Sequence, residues 1–253
     1  MAARSLTDLT RSALVLAPHP DDETLGCGGT IIRKIAAGAD VQLVFMTDGS
    51  RSHAALMPES KLRDLRQKEA MKAAQVLGVP FESVTFLEFG DGQLSQNKAQ
   101  AIAAISKLLK RHRPAEVFMP YSLEPPPDHA VTYHAAIAAL NQLSLSPTIY
   151  TYPIWYWQHW PWTKLVGNSR RETLGVIKAS LISRLGTAMF QDFQHSVSIR
   201  EVLEQKQLAL NQHQSQMQRF DDNLAWPILA DVSDGEFLAC FFQDYEIFHR
   251  PRA

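Results

Sequence analysis

The chain has 253 residues, more than a small single domain and fewer than two domains of ordinary size. Hydrophobic residues make up 45% of it and charged residues 20%, which excludes a disordered, collagen-like or low-complexity protein. Because 25 Lys and Arg residues nearly balance 26 Asp and Glu residues, the net charge of -1 gives no general attraction to nucleic acid or to an anionic membrane. Ligand binding must depend on a local site.

Cysteine usage and the N-terminal residues predict a cytoplasmic location. Cys27 and Cys240 lie far apart in the chain, so we expect no disulfide framework and a reducing compartment. Residues 1–10 lack the apolar run of a signal peptide. No stretch approaches the roughly 18 consecutive apolar residues of a membrane-spanning helix. We therefore expect a soluble protein with no membrane span and no nucleic-acid partner.

Short apolar runs alternate with longer helical patterns up to residue 152. The predicted strands are 13–17, 41–46, 84–89, 115–119 and 148–152, and the predicted helices are 24–37, 61–77, 98–112 and 129–143. This alternation predicts an α/β fold with a Rossmann-like, mostly parallel sheet flanked by helices. The common strand order for such a sheet is 3-2-1-4-5.

The alternation ends after Pro161. Two further helical patterns cover residues 200–214 and 236–242, and we expect the remainder to form an irregular C-terminal cap. No internal repeat and no linker rich in Gly or Ser marks a second domain. The sequence therefore predicts one domain over residues 1–253, with a core at 11–160 and a C-terminal elaboration at 161–253.

A dense cluster of ionisable residues follows the first predicted strand, in the run Pro18-His19-Pro20-Asp21-Asp22-Glu23. Buried charges are costly unless they are paired or bound to a metal, so the cluster favours a binding site over a buried turn. The i, i+3 spacing of His19 and Asp22 lets one tight turn direct an imidazole and a carboxylate at a single ion. A loop of solvated acids is the alternative.

A second cluster, Pro125-Pro-Pro-Asp-His129, follows the fourth predicted strand and opens a helix. In the expected strand order, the first and fourth strands are neighbours at the switch point, where ligands bind outside the carboxyl ends. His19, Asp22 and His129 would then meet as three N/O ligands and leave a coordination position for water, the pattern of a catalytic zinc site. Considered alone, His129 is more typical of a surface histidine at a helix start.

Together these clusters resemble the PIG-L/LmbE-like zinc-dependent N-deacetylases. The similarity extends to Leu25-Gly-Cys-Gly-Gly29, Met46-Thr-Asp-Gly49, Arg66-x-x-Glu69, the Lys206 to Gln216 motif and the closing Glu246-x-Phe-x-Arg250. The resemblance implies a hydrolase that removes the N-acetyl group from an amino sugar or its conjugate, of the N-acetylglucosamine type. It also implies Zn²⁺ held by His19, Asp22 and His129.

The resemblance further implies that Asp21 is the general base, which takes a proton from the attacking water. Amide hydrolysis needs a Lewis acid on the carbonyl and a nucleophile available near neutral pH, and zinc supplies both. Asp21 is adjacent to the ligand Asp22 in the chain but is not a ligand itself. It is therefore well placed to pass that proton to the leaving amine.

One position departs from the family pattern. Family members commonly carry a histidine three residues before the last ligand, where it is thought to stabilise the tetrahedral intermediate, and this chain has Pro126 there. Asp128, which in the family pattern would orient that imidazole, either supports the site or only caps its helix. We expect another donor to substitute, and His213 is the candidate, with a helix-surface anchoring role as its alternative. Arg51 and His53 are further candidates.

Several other residues have two readings each. Arg51 matches a place where relatives hold an arginine near the substrate, and Asp91 in Gly90-Asp-Gly92 is a candidate for binding sugar hydroxyls. A solvated arginine and an ordinary turn are the alternatives. We expect Arg66 and Glu69 to form a structural pair. The tryptophan-rich segment 155–162 is expected either to stack on a sugar or to be buried in the core or in a homo-oligomer interface.

Two other function classes stay open at this point. In one, Pro126 marks an impaired active site in a zinc-containing carbohydrate-binding or regulatory module, although a binder has no need to retain Asp21. In the other, a metal-dependent amidase acts on a non-sugar amide. The sequence does not identify the acceptor part of the substrate, the native metal or the oligomeric state.

Overall fold

The computed structural model describes residues 4–5, 8–164, 170–220 and 225–251. Its strands are β1 (Arg4–Ser5), β2 (Ala13–Ala17), β3 (Val41–Thr47), β4 (Val84–Phe89), β5 (Glu116–Pro120), β6 (Thr148–Tyr152), β7 (His195–Ser198) and β8 (Tyr245–Phe248). Its α-helices are α1 (Asp22–Ala36), α2 (Glu59–Leu77), α3 (Lys98–His112), α4 (Pro127–Leu143), α5 (Arg170–Ile182), α6 (Thr187–Asp192), α7 (Leu203–Leu210), α8 (Gln214–Met217) and α9 (Glu236–Ala239).

Five parallel strands form the central sheet, in the order β4-β3-β2-β5-β6. This is the order predicted from the sequence, so the α/β prediction is confirmed. The side chains of β2 alternate between two apolar layers. Val15 packs in the layer that contains residues of α1 and α2, and Leu16 packs in the layer that contains residues of α3 and α4. Since β2 lies between β3 and β5, the loops after β2 and β5 meet at one edge of the sheet.

Most of the helix boundaries follow the sequence pattern. The first four helices begin and end within two residues of their predicted bounds. Helix α2 ends at Leu77 and is followed by Gly78, whose φ of 85° is the left-handed conformation that glycine adopts readily. Among the described residues, no helix combines the length and the apolar character needed to cross a membrane.

The C-terminal cap contains regular elements that the sequence pattern did not reveal. Strands β1, β7 and β8 form a second sheet, in which β7 and β8 are antiparallel. This sheet joins the central one through Thr151 and His249, whose backbone groups exchange hydrogen bonds of 2.8 and 2.9 Å. The prediction of one helix over 200–214 is wrong. Helix α7 ends at Leu210, and α8 begins only at Gln214, after His213. The predicted domain boundaries stay a prediction.

Helix α1 is kinked at Cys27, where φ is -150° and ψ is 21°. A Cβ on Gly26 would clash with the ring of Tyr152, so only glycine permits this close approach between α1 and the end of β6. The glycine run after the first strand is therefore explained by packing. The kink breaks the helical hydrogen-bond ladder directly behind the site residues at the start of α1.

Candidate functional site

A cavity of about 450 Å³ opens at the carboxyl edge of the central sheet, and we refer to it as the main cavity. Its polar lining residues are His19, Asp21, Asp22, Arg51, Ser52, His53, Arg66, Asp91, Asp128 and Gln216. Its apolar lining residues are Leu25, Pro126, Pro127, Ile154, Trp155, Pro227, Ile228, Leu229 and Val232. Loops from the middle of the chain and from the C-terminal part both contribute to this lining. The cavity therefore offers a polar surface and an apolar surface to a ligand.

The three predicted metal ligands meet at the wall of this cavity, which His19 and Asp22 line and behind which His129 is buried. Oδ2 of Asp22 lies 3.3 Å from Nδ1 of His19 and 3.2 Å from Nε2 of His129. One donor atom from each residue lies within 4.8 Å of the other two, so the three can hold a metal ion. Asp22 and His129 are buried, and the ring nitrogens of His129 face carboxylate oxygens of Asp22 and Glu124 without forming a hydrogen bond to any described residue. Two imidazole nitrogens and one carboxylate oxygen fit the ligand types of a catalytic zinc site.

Glu124 lies behind His129 and was not predicted. Its Oε2 is 3.3 Å from Nδ1 of His129. The carboxylate accepts backbone N–H groups of Ile154 at 2.8 Å and of Trp155 at 2.8 Å, which hold it in place. A carboxylate at this nitrogen orients the ring and leaves Nε2 for a metal. The only sequence signal is an acidic residue directly before the Pro125-Pro126-Pro127 run.

Asp128 connects the site to the loop after β4. Its carboxylate accepts the backbone N–H of Gly92 at 2.7 Å and of Leu94 at 3.2 Å. Its Oδ2 also lies 3.4 Å from Nε2 of His19. The helix-capping alternative for Asp128 is wrong, because no side-chain hydrogen bond caps the start of α4 in the described structure. The Asp128 carboxylate instead contacts His19 and the loop after β4.

His19 therefore stands between two acidic groups. One is Asp22 at Nδ1, and the other is the pair Asp91 and Asp128 at Nε2, with Asp91 at 3.3 Å. His19, Asp91 and Asp128 form a second set of three donors close enough for a metal. The two sets share only His19. The set with His129 has the larger number of nitrogen ligands and matches the predicted site.

Asp21 has a backbone conformation that is rare outside glycine, with φ of 128°. Its N–H donates to Oε2 of Glu23 at 2.8 Å, and its own carboxylate accepts from the Arg66 guanidinium at 3.1 Å. Burial raises the pKa of Asp21 to about 6, against the opposing effect of Arg66. A raised pKa, a positive φ and a place in the cavity wall together are typical of a residue held for function.

The ionisable groups of the ligand set shift one another's pKa values. Burial alone would raise the pKa of Asp22, but the neighbouring His129 and His19 hold it well below its usual range. Burial alone would lower the pKa of His129, but Asp22 and Glu124 raise it to about 9. The carboxylates thus stabilise positive charge at the site, where a metal cation would take the place of the imidazole protons.

Arg66 and Glu69 do not pair with each other, so the expectation of a structural pair is wrong. Arg66 donates to the carbonyl oxygens of Gly49 and Pro20 and to Asp21. Glu69 accepts the backbone N–H of Ser215 at 2.8 Å and its hydroxyl at 2.7 Å. The two residues lie on one helix yet serve different purposes: Arg66 holds the candidate base, and Glu69 anchors α8.

His213 is fully buried and is not among the residues that line the main cavity. Its Nε2 lies 2.9 Å from Oε1 of Glu23, the residue that also holds the N–H of Asp21. His213 therefore touches the site through Glu23. The role of direct donor to the reacting carbonyl stays a prediction, and these contacts favour a positioning role.

The two predicted substrate-binding residues lie together at the rim of the main cavity. The backbone N–H of Arg51 donates to Oδ2 of Asp91 at 2.9 Å. The Arg51 side chain is exposed, with its Nε 3.4 Å from Glu59, whereas Asp91 is half-buried beside His19. His53, the further candidate, is held by Ser52 and by the carbonyl of Pro227. Their roles toward a substrate stay predictions.

The tryptophan-rich segment divides between two surroundings. Trp155 lines the main cavity and stacks on Phe237, with ring centroids 4.8 Å apart. Trp157, Trp160 and Trp162 lie away from it, around a different cavity. The single expectation for the whole segment was too coarse, because only its first tryptophan reaches the candidate site.

Comparison with known proteins gives one family match and several relatives. The family profile described as "PIG-L: GlcNAc-PI de-N-acetylase" matches residues 14–140. Diacetylchitobiose deacetylase of Thermococcus kodakarensis is 26% identical over 207 residues, covering 81% of this chain and 70% of that protein. The 4-oxalmesaconate hydratase of Pseudomonas putida is 30% identical over 141 residues, covering 53% of each. The chain thus spans about half the length of that second relative.

A solved structure supports the fold over nearly the whole chain. The N,N'-diacetylchitobiose deacetylase of Pyrococcus horikoshii superimposes with a TM-score of 0.67 at 22% identity. The superposition covers 97% of this chain and 87% of that one. At this identity the likeness establishes the α/β architecture, including the part after residue 161 that the sequence pattern left irregular.

Proposed function

Since the chain belongs to the PIG-L family, we propose that it is a zinc-dependent N-deacetylase that removes the acetyl group from an amino sugar or amino-sugar conjugate of the N-acetylglucosamine type. The observation that carries the proposal is the meeting of His19, Asp22 and His129 beside Asp21 at the wall of one cavity. Two of the relatives compared above are named deacetylases of a diacetylated sugar.

His19, Asp22 and His129 would hold the metal. Zinc would polarise the amide carbonyl and lower the pKa of water, so that a nucleophile is available near neutral pH. Glu124 would fix the ring of His129 through Nδ1, because its carboxylate is itself held by two backbone N–H groups. Asp128 and Asp91 would fix His19 through Nε2 in the same way.

Asp21 would accept the proton of the attacking water and then donate it to the departing amine nitrogen. Its pKa near 6 suits both halves of this transfer close to neutral pH. Arg66 and Glu23 restrict the residue from two sides, one at the carboxylate and one at the backbone N–H. This restraint keeps the proton acceptor at the polar wall and prevents Asp21 from turning toward solvent.

Pro126 lines the cavity and offers no side-chain donor to the developing oxyanion. Losing such a donor is worth roughly 10²- to 10³-fold in kcat in other enzymes. Arg51 lines the same cavity and carries side-chain N–H groups, so it is better placed for that contact than His213, whereas the Nε2–H of His53 already donates to the carbonyl of Pro227. We assign His213 the role of positioning Asp21 through Glu23.

The walls of the main cavity support a substrate with a polar and an apolar part. Arg51 and Asp91 would bind hydroxyl groups of the sugar at the polar rim. Trp155 and the apolar residues around Ile228 would contact the flat face of a sugar ring or an apolar aglycone.

A cytoplasmic location fits the two free cysteines, Cys27 and Cys240, among the described residues.

The hydratase relative supports a second candidate reaction, addition of water to a carbon–carbon double bond. A metal beside a carboxylate base can promote either reaction, so the substrate decides between them. Two measurements on zinc-loaded protein test the proposal: acetate release from N-acetylglucosamine saccharides and N-acetyl amino acids, and loss of the double-bond absorbance of an unsaturated dicarboxylate. We expect acetate and free amine in equal amounts from the saccharides. Water addition to the dicarboxylate alone, or turnover of the amino acids alone, would reject it.

A further inference from the structure

A second cavity of about 520 Å³ takes no part in the proposed reaction, and we refer to it as the tryptophan cavity. One short 3-10 helix, Trp155–Trp157, contributes Trp155 to the main cavity and Trp157 to the tryptophan cavity. The two cavities are thus neighbours on either side of this helix. The volume falls within the roughly 300 to 1,000 Å³ that is typical of small-molecule sites.

Indole rings form the apolar part of its wall. Trp157 and Trp162 meet edge to face, with centroids 5.3 Å apart and planes inclined at 83°. Trp160 is 44% exposed, whereas tryptophan side chains that pack in a core are mostly buried. Its ring is therefore accessible to a ligand. Flat aromatic faces set at an angle offer a surface for the C–H face of a pyranose ring.

Polar groups lie in the same wall. Oε2 of Glu236 accepts the backbone N–H of Lys164 at 2.8 Å, and the ammonium of Lys164 is paired with Asp234 at 2.9 Å. Nε1 of Trp162 and Oγ1 of Thr163 are buried without a hydrogen-bond partner in the part of the chain that the structure describes. Because neither atom is accessible to solvent in this structure, a ligand hydroxyl would pair with it only after a local shift of the wall, which would remove its desolvation penalty.

We propose that the tryptophan cavity binds a hexopyranose unit, stacked on the indole faces and hydrogen-bonded through its hydroxyl groups. The wall fits a neutral sugar better than an anion, because Glu236 would repel a phosphate and the charge of Lys164, the lysine among the described residues of the wall, is already paired with Asp234. The inference goes beyond the proposed function, since sugar binding here requires no hydrolysis. The pyranose is either a distal unit of a chain that also enters the main cavity or a separate saccharide.

Equilibrium binding tests the proposal without turnover. The probes are methyl β-D-glucopyranoside and cellotriose, which carry no amide and therefore report on binding whatever reaction the main cavity catalyses. Titration of the zinc-loaded protein, followed by calorimetry, should show binding that Trp160→Ala weakens roughly 2- to 10-fold, as for one lost aromatic contact. Phe81→Ala, which removes an aromatic ring 77% exposed and outside both cavities, should leave the affinity unchanged.

A second variant guards against a folding defect. Glu236→Gln keeps an oxygen for the N–H of Lys164 but removes the charge, and it should also weaken binding. The KM values for the β-1,4-linked N-acetylglucosamine trimer and for the monomer are then compared in Trp160→Ala. If the KM rises for the trimer and not for the monomer, the bound pyranose is a distal unit of the substrate. Unchanged KM values with weakened glucoside binding identify a separate saccharide. No binding of either probe, or binding that neither variant alters, would overturn the proposal.

Discussion

Nζ of Lys206 lies 2.8 Å from Oε1 of Glu246, beside the kink in α1, and both side chains are buried. Glu246 accepts the N–H groups of Gly29 and Thr30, each at 2.7 Å. Lys206 donates to the carbonyl of Leu25 at 3.0 Å, the group that Gly29 would reach in an unbroken helix. The pair therefore satisfies the backbone groups that the kink releases, and it holds the helix that carries Asp22.

We predict that Glu246→Gln destabilises the protein by roughly 3 to 5 kcal/mol, because Lys206 then keeps a buried charge without its partner. The double variant Lys206→Met with Glu246→Gln should lose less than the sum of the two single variants. Urea unfolding followed by circular dichroism measures both. Lys164→Met is the matched control, since it breaks an exposed pair with Asp234, and it should unfold at the wild-type urea concentration. Wild-type stability of Glu246→Gln would show that the pair is dispensable.

Glu124→Gln should weaken zinc binding roughly 10- to 100-fold, because the amide cannot replace the carboxylate that orients His129. Zinc affinity is measured by competition with a coloured chelator. Glu82→Gln, an exposed acid in a short 3-10 helix, is the control and should bind zinc as the wild type does. Equal affinities in the two variants would remove Glu124 from the site.

Asp21→Asn should keep the metal and lose most turnover, since the amide is nearly isosteric but cannot accept a proton. General base catalysis contributes roughly 10²- to 10⁴-fold, so kcat should fall by that order. Metal content by elemental analysis and acetate release by a coupled assay are measured on the same preparation. Unchanged kcat would transfer the role of base to another residue.

His213→Ala should reduce both stability and turnover, because Glu23 loses its 2.9 Å contact and no longer holds the N–H of Asp21 firmly. His213→Gln, which retains an N–H donor, should restore part of each. Unfolding midpoints and kcat are compared for the two variants. Loss of turnover with wild-type stability in His213→Ala would instead support the direct donor role predicted from the sequence.

Local spacing explains why much of the site was predictable. His19 and Asp22 occupy one turn, and the switch point of a parallel sheet brings His129 to the same edge. These inferences need only a short-range pattern and a strand order. The central sheet follows from the same alternation of apolar runs and helical patterns.

The remaining features depend on residues far apart in the chain. Glu23 meets His213 across 190 positions, and Gly29 meets Glu246 across 217. Hydrophobic periodicity says nothing about which buried acid receives which donor, so Arg66 was paired with the wrong partner. Strands β7 and β8 have only four residues each and lack a clear alternating pattern, which is why the cap could not be placed.

The metal content of wild type, His19→Ala and His129→Ala tests the central claim most directly. Each protein is loaded with zinc and freed of excess metal by gel filtration. Its zinc content is then measured by elemental mass spectrometry. We predict one zinc per wild-type chain and strongly reduced zinc in both variants, because each loses one of the three donors that lie within 4.8 Å of one another. Full zinc occupancy in both variants would contradict the assignment of the metal site.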